Sequence, residues 1–216
     1  MSERPYKTLS KEASDAFVVN KSRFIGYAAP VDTEEEALRY IQSVREQHQD
    51  ATHHCFAYII GRNAGIMRYQ DDGEPSGTAG QPIMEVLRQK QLVNCCAVVV
   101  RYFGGVLLGA GGLVRAYTKG CALAVDAAGV AVMEPSVRIQ AVLPYGLWDR
   151  VQYQLSTQPV ALEDTQYTDQ VTAVLSLRET DQQIIETALA QWSDGRAVIT
   201  ELDRMYYAWP DGEDSA

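Results

Sequence analysis

The sequence predicts an α+β protein with two domains, at residues 1–134 and 136–210, followed by a polar tail at residues 211–216. Three observations lead to this prediction. Residues 136–210 read as βαββαβ, which is the ferredoxin-like pattern. Residues 1–134 mix strand pairs with amphipathic helices around a glycine-rich run. Charge also separates the halves, because residues 1–135 carry 14 Lys and Arg against 15 Asp and Glu, whereas residues 136–216 carry 5 against 13.

The first domain opens with a strand pair over residues 16–27 that turns near Asn20. Thr33 and Glu36 have the spacing of a capping box, which predicts the start of a helix. The later elements are a hairpin at 54–60 and 66–70, a helix with Pro82 in its first turn, a strand at 95–103, a helix at about 113–128 and a strand at 130–133.

The boundary before the second domain is predicted at Glu134, Pro135 and Ser136. Thr180 with Gln183 three residues later predicts a capping box at the start of its second helix. The elements in chain order are strands at 137–143, 160–167 and 171–177, a helix at 145–157 between the first two, the capped helix, and a last strand from 197 to about 207.

Composition narrows the protein class. Hydrophobic residues make up 46% and charged residues 22% of the chain, which is typical of a soluble globular protein. No apolar run reaches the length of a membrane span, and the first residues lack a secretory h-region, so we expect a cytoplasmic protein without a membrane partner. The four cysteines fit no disulfide or zinc spacing, and Cys95 and Cys96 should point to opposite faces of one strand as buried free thiols.

A strand, a glycine-rich loop and a helix follow one another within residues 98–120. The residues of interest are Gly104, Gly105, Gly109, Gly111 and Gly112, followed by Arg115 and Lys119 one turn apart. Free amides at a helix start beside cations favour an anion. Nucleotide-binding fingerprints do not fit, because Ala110 stands where a P-loop has lysine and Val114 where GxGxxG has its third glycine. A tight backbone crossing that only glycine allows is the alternative explanation.

An acidic loop at residues 71–80 is the second candidate site. Asp71, Asp72 and Glu74 could together hold Mg²⁺, and the small residues that follow, including Ser76 and Thr78, could surround a phosphate. Turn chemistry explains the same residue types without any ligand. Both interpretations remain open from the sequence.

The predicted strand at residues 54–60 suggests two faces with different environments. His54, Phe56 and Tyr58 share one face and predict a half-exposed aromatic surface. Cys55 shares the other face with residues of the core. Strand geometry gives neither His53 nor His54 a direct hydrogen bond to this thiol, so structural roles are favoured over a cysteine nucleophile or a metal site.

Arg101 follows four apolar residues at the end of a predicted strand. A charge at the end of such a strand is expected either to be paired in a nearly dry site or to project from the sheet. The natural partner is a carboxylate of the acidic loop, from Asp71, Asp72 or Glu74. Such a pair would join the acidic loop and the glycine-rich loop into one site.

Four ordered motifs resemble the IMPACT/YigZ family over about residues 18–125. They are Ser22-Arg23-Phe24-Ile25, His53-His54-Cys55-Phe56-Ala57, DGEPSGTAG at residues 72–80 and VRYFGGVLLG at residues 100–109. The βαββαβ segment resembles the extra C-terminal domain of bacterial members. The resemblance implies a first domain with the fold of ribosomal protein S5 domain 2, a succession of domains similar to domains IV and V of translation elongation factor G, and a role around translation.

The favoured hypothesis is a translation-associated regulatory protein without demonstrated catalysis, which contacts the ribosome or RNA through its first domain. The contact would combine His54, Phe56 and Tyr58 with Arg101, Arg115, Lys119 and the loop glycines. The alternative is an enzyme or small-ligand binder that uses residues 71–80 and 104–112 around a phosphorylated compound.

No cofactor or metal ion is predicted, and whether the protein is an enzyme stays undecided because neither HExxH nor GxSxG is present. DNA is not expected as a partner, because the net charge is −9 and clustered cations are few. The residues do not identify a protein partner.

Overall fold

The computed structural model describes residues 4–210, so the polar tail predicted at residues 211–216 lies outside the described residues. One compact unit contains residues 6–132, and the other contains residues 133–209 together with residues 4 and 5. Both units combine helices with sheets, which confirms the predicted α+β class. Within the described residues, no helix has the length and apolar character that a membrane crossing needs.

The first unit is built on a five-stranded antiparallel sheet. Its elements are β1 (Tyr6–Leu9), β2 (Ala13–Val19), β3 (Ser22–Pro30), α1 (Glu34–Gln47), β4 (His53–Ile60), β5 (Ile66–Gln70), α2 (Gly80–Gln89), β6 (Cys95–Tyr102) and α3 (Gly109–Ala128). The strand order in the sheet is β2-β3-β6-β4-β5. Asn20 and Lys21 have φ of 46° and 63°, which is the backbone of a two-residue turn between β2 and β3.

Both faces of this sheet are covered. The helices α2 and α3 pack on one face, and α1 packs on the other. The central strand β6 is therefore buried on both sides, which explains its continuous apolar sequence. Cys95 lies in the core under α2 and α3, and Cys96 lies in the core under α1. All four cysteines are buried and free, as predicted.

One of the two hydrogen bonds of the capping box predicted at the start of α1 is present. The Thr33 hydroxyl accepts a hydrogen bond from the Glu36 amide at 3.2 Å. The Glu36 carboxylate reaches back one residue further than expected, since it accepts from the Asp32 amide at 2.7 Å. The N-terminus of α1 is thereby fixed against the end of β3.

Two close backbone approaches explain glycines without any ligand. A Cβ on Gly26 of β3 would lie 2.0 Å from the carbonyl oxygen of Gly120 on α3, so this helix crosses this strand at a distance that only glycine permits. A Cβ on Gly104 would lie 2.0 Å from the Lys21 carbonyl carbon. The structural interpretation of the glycine-rich loop is thus correct for Gly104.

The helix α3 begins at Gly109, one turn earlier than the predicted start at residue 113. Gly109, Gly111 and Gly112 therefore belong to its first turn and not to a loop. Glycine has low helix propensity, but α3 packs along β2 and β3 with Leu113 and Ala116 in the core, and this packing outweighs the propensity.

The second unit has the predicted βαββαβ order. Its elements are β7 (Val130–Leu143), α4 (Tyr145–Leu155), β8 (Val160–Tyr167), β9 (Val171–Arg178), a 3₁₀ turn (Glu179–Asp181), α5 (Gln182–Trp192) and β10 (Val198–Pro210). The sheet order is β10-β7-β9-β8. Apolar residues of α4, α5 and the sheet form one core, including Val137, Val151, Leu175 and Leu189.

Two local predictions for this region are wrong. The strands predicted separately at 130–133 and 137–143 form one uninterrupted strand, β7. The extended conformation of Pro135 suits a strand, and Glu134 and Ser136 are held there by Arg178 at 2.9 Å and by the Trp209 indole at 3.1 Å. The capping box at Thr180 does not form, because its hydroxyl bonds to Asp181 within the 3₁₀ turn, and α5 starts without a side-chain cap.

Candidate functional site

Hydrogen bonds to the Asp71 side chain hold the acidic loop in its conformation. One carboxylate oxygen of Asp71 accepts hydrogen bonds from the Ala79 and Gly80 amides at 3.1 and 2.8 Å, and the other accepts from the Gly77 amide at 2.8 Å. These amides include the first free donors of α2, whose N-terminal residue Ala79 has no side-chain cap. Asp71 therefore closes the loop and caps the helix, as the turn interpretation of this loop predicts.

The three carboxylates of the loop do not converge. Asp72 accepts a hydrogen bond from the His54 amide at 2.6 Å and lies 3.5 Å from Arg45, whereas Glu74 turns into the core. Among residues 4–210, no group of three or more His, Cys, Asp or Glu side chains is placed to hold a metal ion. In the described structure the three carboxylates therefore do not share the one position that a magnesium ion would need. Thr78 is buried and donates to the Pro75 carbonyl at 2.6 Å, while Ser76 is exposed.

The predicted pairing of Arg101 with the acidic loop is confirmed, and the partner is Glu74. Arg101 Nη1 lies 2.6 Å from Glu74 Oε1, and the two side chains are only 5% and 3% exposed. The same carboxylate oxygen accepts a hydrogen bond from the Tyr117 hydroxyl at 2.8 Å. The pair is therefore desolvated and tied to α3.

Strand register explains why Arg101 is so enclosed. Arg101 on β6 stands opposite Phe24 on β3 and opposite His53 on β4. Its guanidinium carbon lies 5.4 Å from the ring centroid of Phe24 and 5.3 Å from that of Phe103, within the range of cation–π contacts. Its Nε is buried without a hydrogen-bond partner, and its Nη2 reaches only the Ser22 hydroxyl, at 3.5 Å.

Neighbouring hydroxyl and thiol groups stay protonated. Burial raises the pKa of Tyr117 far above its ordinary value, and Cys55 and Glu74 add to the shift. Burial likewise raises the pKa of the Cys55 thiol well above its usual range. The Cys55 thiol donates to the Asp71 carbonyl at 2.9 Å, so it serves the loop and is not set up as a nucleophile.

A cleft of about 350 Å³ opens beside this buried pair, between the acidic loop and the start of α3. Its polar lining is Thr52, His53, Glu74 and Arg101. His53 Nδ1 lies 2.8 Å from the Asp72 carbonyl, which can only accept, so this nitrogen carries a proton. His53 Nε2 lies 3.8 Å from Glu74 Oε1. The predicted joining of the two loops into one site is therefore correct.

The remaining lining of the cleft is apolar or backbone. Phe103, Leu107 and Leu113 supply apolar surface, and Gly109 and Ala110 supply the first turn of α3. Leu107 is 86% exposed, which is unusual for leucine. The cleft thus combines one helix N-terminus, one buried ion pair and an apolar wall.

The half-exposed aromatic surface predicted for β4 is present only in part, since His54 and Phe56 are partly exposed and Tyr58 is buried. Tyr58 is only 3% exposed and donates to Glu34 at 2.7 Å; burial raises its pKa to about 12. Phe56 packs against the core under α1, and the His54 ring is 12% exposed and bonded to the His48 carbonyl. The reason is that α1 covers this face of the sheet, which strand alternation alone does not reveal.

Arg115 and Lys119 lie elsewhere, on the exposed side of α3. They line a groove of about 310 Å³ between β2 and α3, together with Phe17 and Asn20. Lys119 Nζ lies 4.6 Å from the Phe17 ring centroid. The structure does not bring all the residues of the predicted contact onto one open surface, because α1 packs over the aromatic residues of β4 and Arg101 is buried, whereas Arg115 and Lys119 are exposed.

Several residues of the site were not found from the sequence. The sequence assigns Tyr117 no role, although a hydroxyl among the core positions of a helix requires a partner. No sequence pattern at Thr52, Phe103 or Leu107 indicates that these residues belong to a site. Their proximity depends on how the loops fold over the sheet end.

Comparisons with known proteins agree with the described fold. The family model of the Impact N-terminal domain matches residues 20–125, and that of a domain of unknown function (DUF1949) matches residues 142–196. A solved structure described as a hypothetical protein is 30% identical, covers 94% of this chain and 98% of its own, and superimposes with a TM-score of 0.60.

Two relatives extend this similarity. The IMPACT family member YvyE of Bacillus subtilis is 36% identical over 201 residues, covering 93% of each chain. The IMPACT family member YigZ of Escherichia coli is 47% identical over 104 residues, which are 47% of this chain and 51% of the relative. The first of these similarities spans both units and the described site. The chain belongs to the IMPACT family.

Proposed function

We propose that this protein is a translation-associated regulatory protein whose first unit contacts ribosomal RNA through the groove between β2 and α3. Membership of the IMPACT family suggests a regulatory or translation-associated role in general. The observation that carries the finer proposal is the grouping of Arg115, Lys119 and Phe17 along one open groove.

The chemistry of the groove suits a nucleic-acid backbone. Arg115 and Lys119 are exposed and one helical turn apart, so their charges can meet neighbouring phosphates. Phe17 is half-buried beneath Lys119 and offers an aromatic surface beside the cation. Val18, which also lines the groove, is 68% exposed and adds apolar contact area.

The charge of the whole chain argues for docking on a shaped RNA surface. A net charge of −9 repels free RNA, and two cations in one groove give only weak non-specific binding. A folded ribosomal surface supplies additional contacts that a free strand lacks. Binding should therefore be selective for ribosomal particles and sensitive to salt.

The test is co-sedimentation of the purified protein with ribosomes at low salt. The double variant Arg115→Glu with Lys119→Glu should lose most of the co-sedimenting fraction, because two attractive contacts become repulsive. The double variant Arg39→Glu with Arg88→Glu is the matched control, because it changes the net charge by the same amount at side chains of α1 and α2 that are 63% and 61% exposed. It should sediment like the unaltered protein.

The slope of log affinity against log salt should also fall, by roughly 0.7–0.9 for each phosphate contact removed. Failure of the unaltered protein to co-sediment at low salt would overturn the proposal. Equal losses in the groove variant and in the charge-matched control variant would show that only net charge matters, and would also overturn the proposal.

A further inference from the structure

The cleft between the acidic loop and α3 is a separate feature from the RNA groove, although Leu108 lines both. From its geometry we infer that it binds a small organic anion, with a carboxylate or phosphate head on the first turn of α3 and an apolar body on the wall of Phe103, Leu107 and Leu113. The inference does not depend on RNA binding.

The start of α3 supplies unused donors. The first four amides of an α-helix have no partner within the helix, and Leu108 at its N-terminus makes no side-chain cap. In α2 such amides donate to the carboxylate of Asp71, whereas no side chain within residues 4–210 caps the start of α3 in this way. The positive end of a 20-residue helix therefore opens into the cleft at Gly109 and Ala110.

A second, independent observation comes from Arg101. This residue lines the cleft, is only 4% exposed, and keeps a buried Nε without a hydrogen-bond partner. Its Nη2 has one long contact, 3.5 Å to the Ser22 hydroxyl. One donor of the guanidinium in the wall of the cleft is thus left without a partner among the described residues.

The charges around the cleft also favour an anion. The carboxylate of Glu74 is already matched by Arg101 and by the Tyr117 hydroxyl, so it does not oppose a second negative group as an isolated carboxylate would. His53 and Thr52 add polar hydrogen-bonding groups to the same wall. The Thr52 hydroxyl accepts from the Phe103 amide at 3.1 Å, so its own proton is available to a ligand.

The apolar wall determines which anions fit. Phe103 and Leu107 are 45% and 86% exposed, which leaves apolar surface uncovered next to the anion position. A cleft of about 350 Å³ is at the lower end of the range for small-molecule sites. A compact ligand with one charged end and one apolar end would cover this surface, whereas inorganic phosphate would not.

Hexanoate and hexyl phosphate are suitable probes, because they share an apolar tail and differ in the head group. Each is titrated against the full-length protein while the backbone amide resonances are followed by NMR. We expect saturable shifts at Gly109, Ala110, Gly111 and Thr52 with at least one probe, at a Kd of about 1 mM. The stronger probe identifies the head group.

Hexanol and inorganic phosphate are the control ligands, since hexanol lacks the charged head and inorganic phosphate lacks the apolar tail. Each should bind at least about ten-fold more weakly than the stronger probe.

The variant Ala110→Asp tests the anion position. Ala110 is exposed, and an acidic residue in the first turn of a helix does not disturb folding. We expect it to weaken the probe by about ten-fold or more, because a second negative charge would stand beside the bound anion. Val114→Asp is the matched control, since Val114 is 37% exposed, lies one turn further along α3 and does not line the cleft. It should change the affinity by less than about two-fold.

Leu107→Ser tests the apolar wall without touching the core, and should weaken both probes by several-fold. The inference is overturned if neither probe gives saturable shifts at these amides up to about 20 mM, well above the expected Kd. It is also overturned if Val114→Asp weakens binding as much as Ala110→Asp does. Since Arg115 and Lys119 are unchanged in every variant, ribosome co-sedimentation reports separately on the proposed function.

Discussion

At the scale of single residues, the pair of Arg101 and Glu74 dominates the described site. Two charged side chains are almost completely removed from water, and each depends on the other for compensation. Tyr117 completes the arrangement by donating to the same carboxylate oxygen. Loss of either charge would leave the other one buried and unpaired.

We therefore expect Glu74→Gln to lower the free energy of unfolding by about 3–5 kcal/mol, as measured by urea denaturation. Glu35→Gln is the control, because Glu35 forms an exposed pair with Arg39 on α1 and its loss should cost less than about 0.5 kcal/mol. A cost below about 1 kcal/mol for Glu74→Gln would contradict the importance of the buried pair.

A second residue-scale prediction concerns His48. Its ring nitrogens lie 2.5 Å from the Tyr27 hydroxyl and 2.8 Å from the Tyr102 hydroxyl. Desolvation, followed by His54 and Arg23, lowers the pKa of His48 in the folded state. The unfolded state therefore binds a proton more readily, so the stability of the fold falls as the pH drops through about 6.5, the ordinary histidine value.

This pH dependence can be measured as the free energy of unfolding between about pH 7.5 and pH 5.5, above the titration of ordinary carboxylates. The decrease toward low pH should be smaller in His48→Gln than in the unaltered chain. An identical pH profile for the two proteins would show that His48 does not contribute to it.

At the scale of elements, the crossing of α3 over β3 sets the shape of the first unit. Gly26 and Gly120 let the helix backbone approach the strand directly, which places Tyr117 next to Glu74 and the start of α3 beside the acidic loop. The same crossing buries the apolar stripe of α3 that contains Ala116, Ala124 and Ala128. The cleft is therefore a consequence of how one helix lies on one sheet.

Gly26→Ala should destabilise the protein by roughly 3 kcal/mol or more, since its Cβ would clash with backbone that cannot move aside cheaply. Gly146→Ala is a useful comparison, because a Cβ added at Gly146 in α4 would meet no other atom within 4 Å. It should be neutral or stabilising by up to about 1 kcal/mol. Thermal unfolding of both variants measures the difference, and equal midpoints would refute the close crossing.

At the scale of the whole molecule, charge and fold are divided between two units. The acidic half coincides with the βαββαβ unit, and the cations that could meet RNA lie on the first unit. This distribution is the reason to test ribosome binding through α3 and not through the second unit. The uneven charge was evident from the sequence, whereas the separation of Arg115 and Lys119 from β4 was not.

By itself the sequence determined the α+β class, the order of most elements and the family, and it identified the acidic loop as the natural partner of Arg101 if that residue is buried. Those conclusions rest on local periodicity, on recognisable motifs, and on the high free-energy cost of an unpaired buried charge, all of which can be inferred from the order of the residues. Which of the three carboxylates pairs with Arg101 depends on the tertiary structure. Strand register places Arg101 opposite His53, and Asp71 already accepts hydrogen bonds that close the loop.

Only the tertiary structure decided that α1 covers the β4 aromatics, that β7 is unbroken, and that Leu107 and the start of α3 share a cleft. Alternation along a strand shows that two faces differ, but it does not show what packs on each face. Contacts between residues far apart in sequence settle that question, because they depend on the packing of the whole unit.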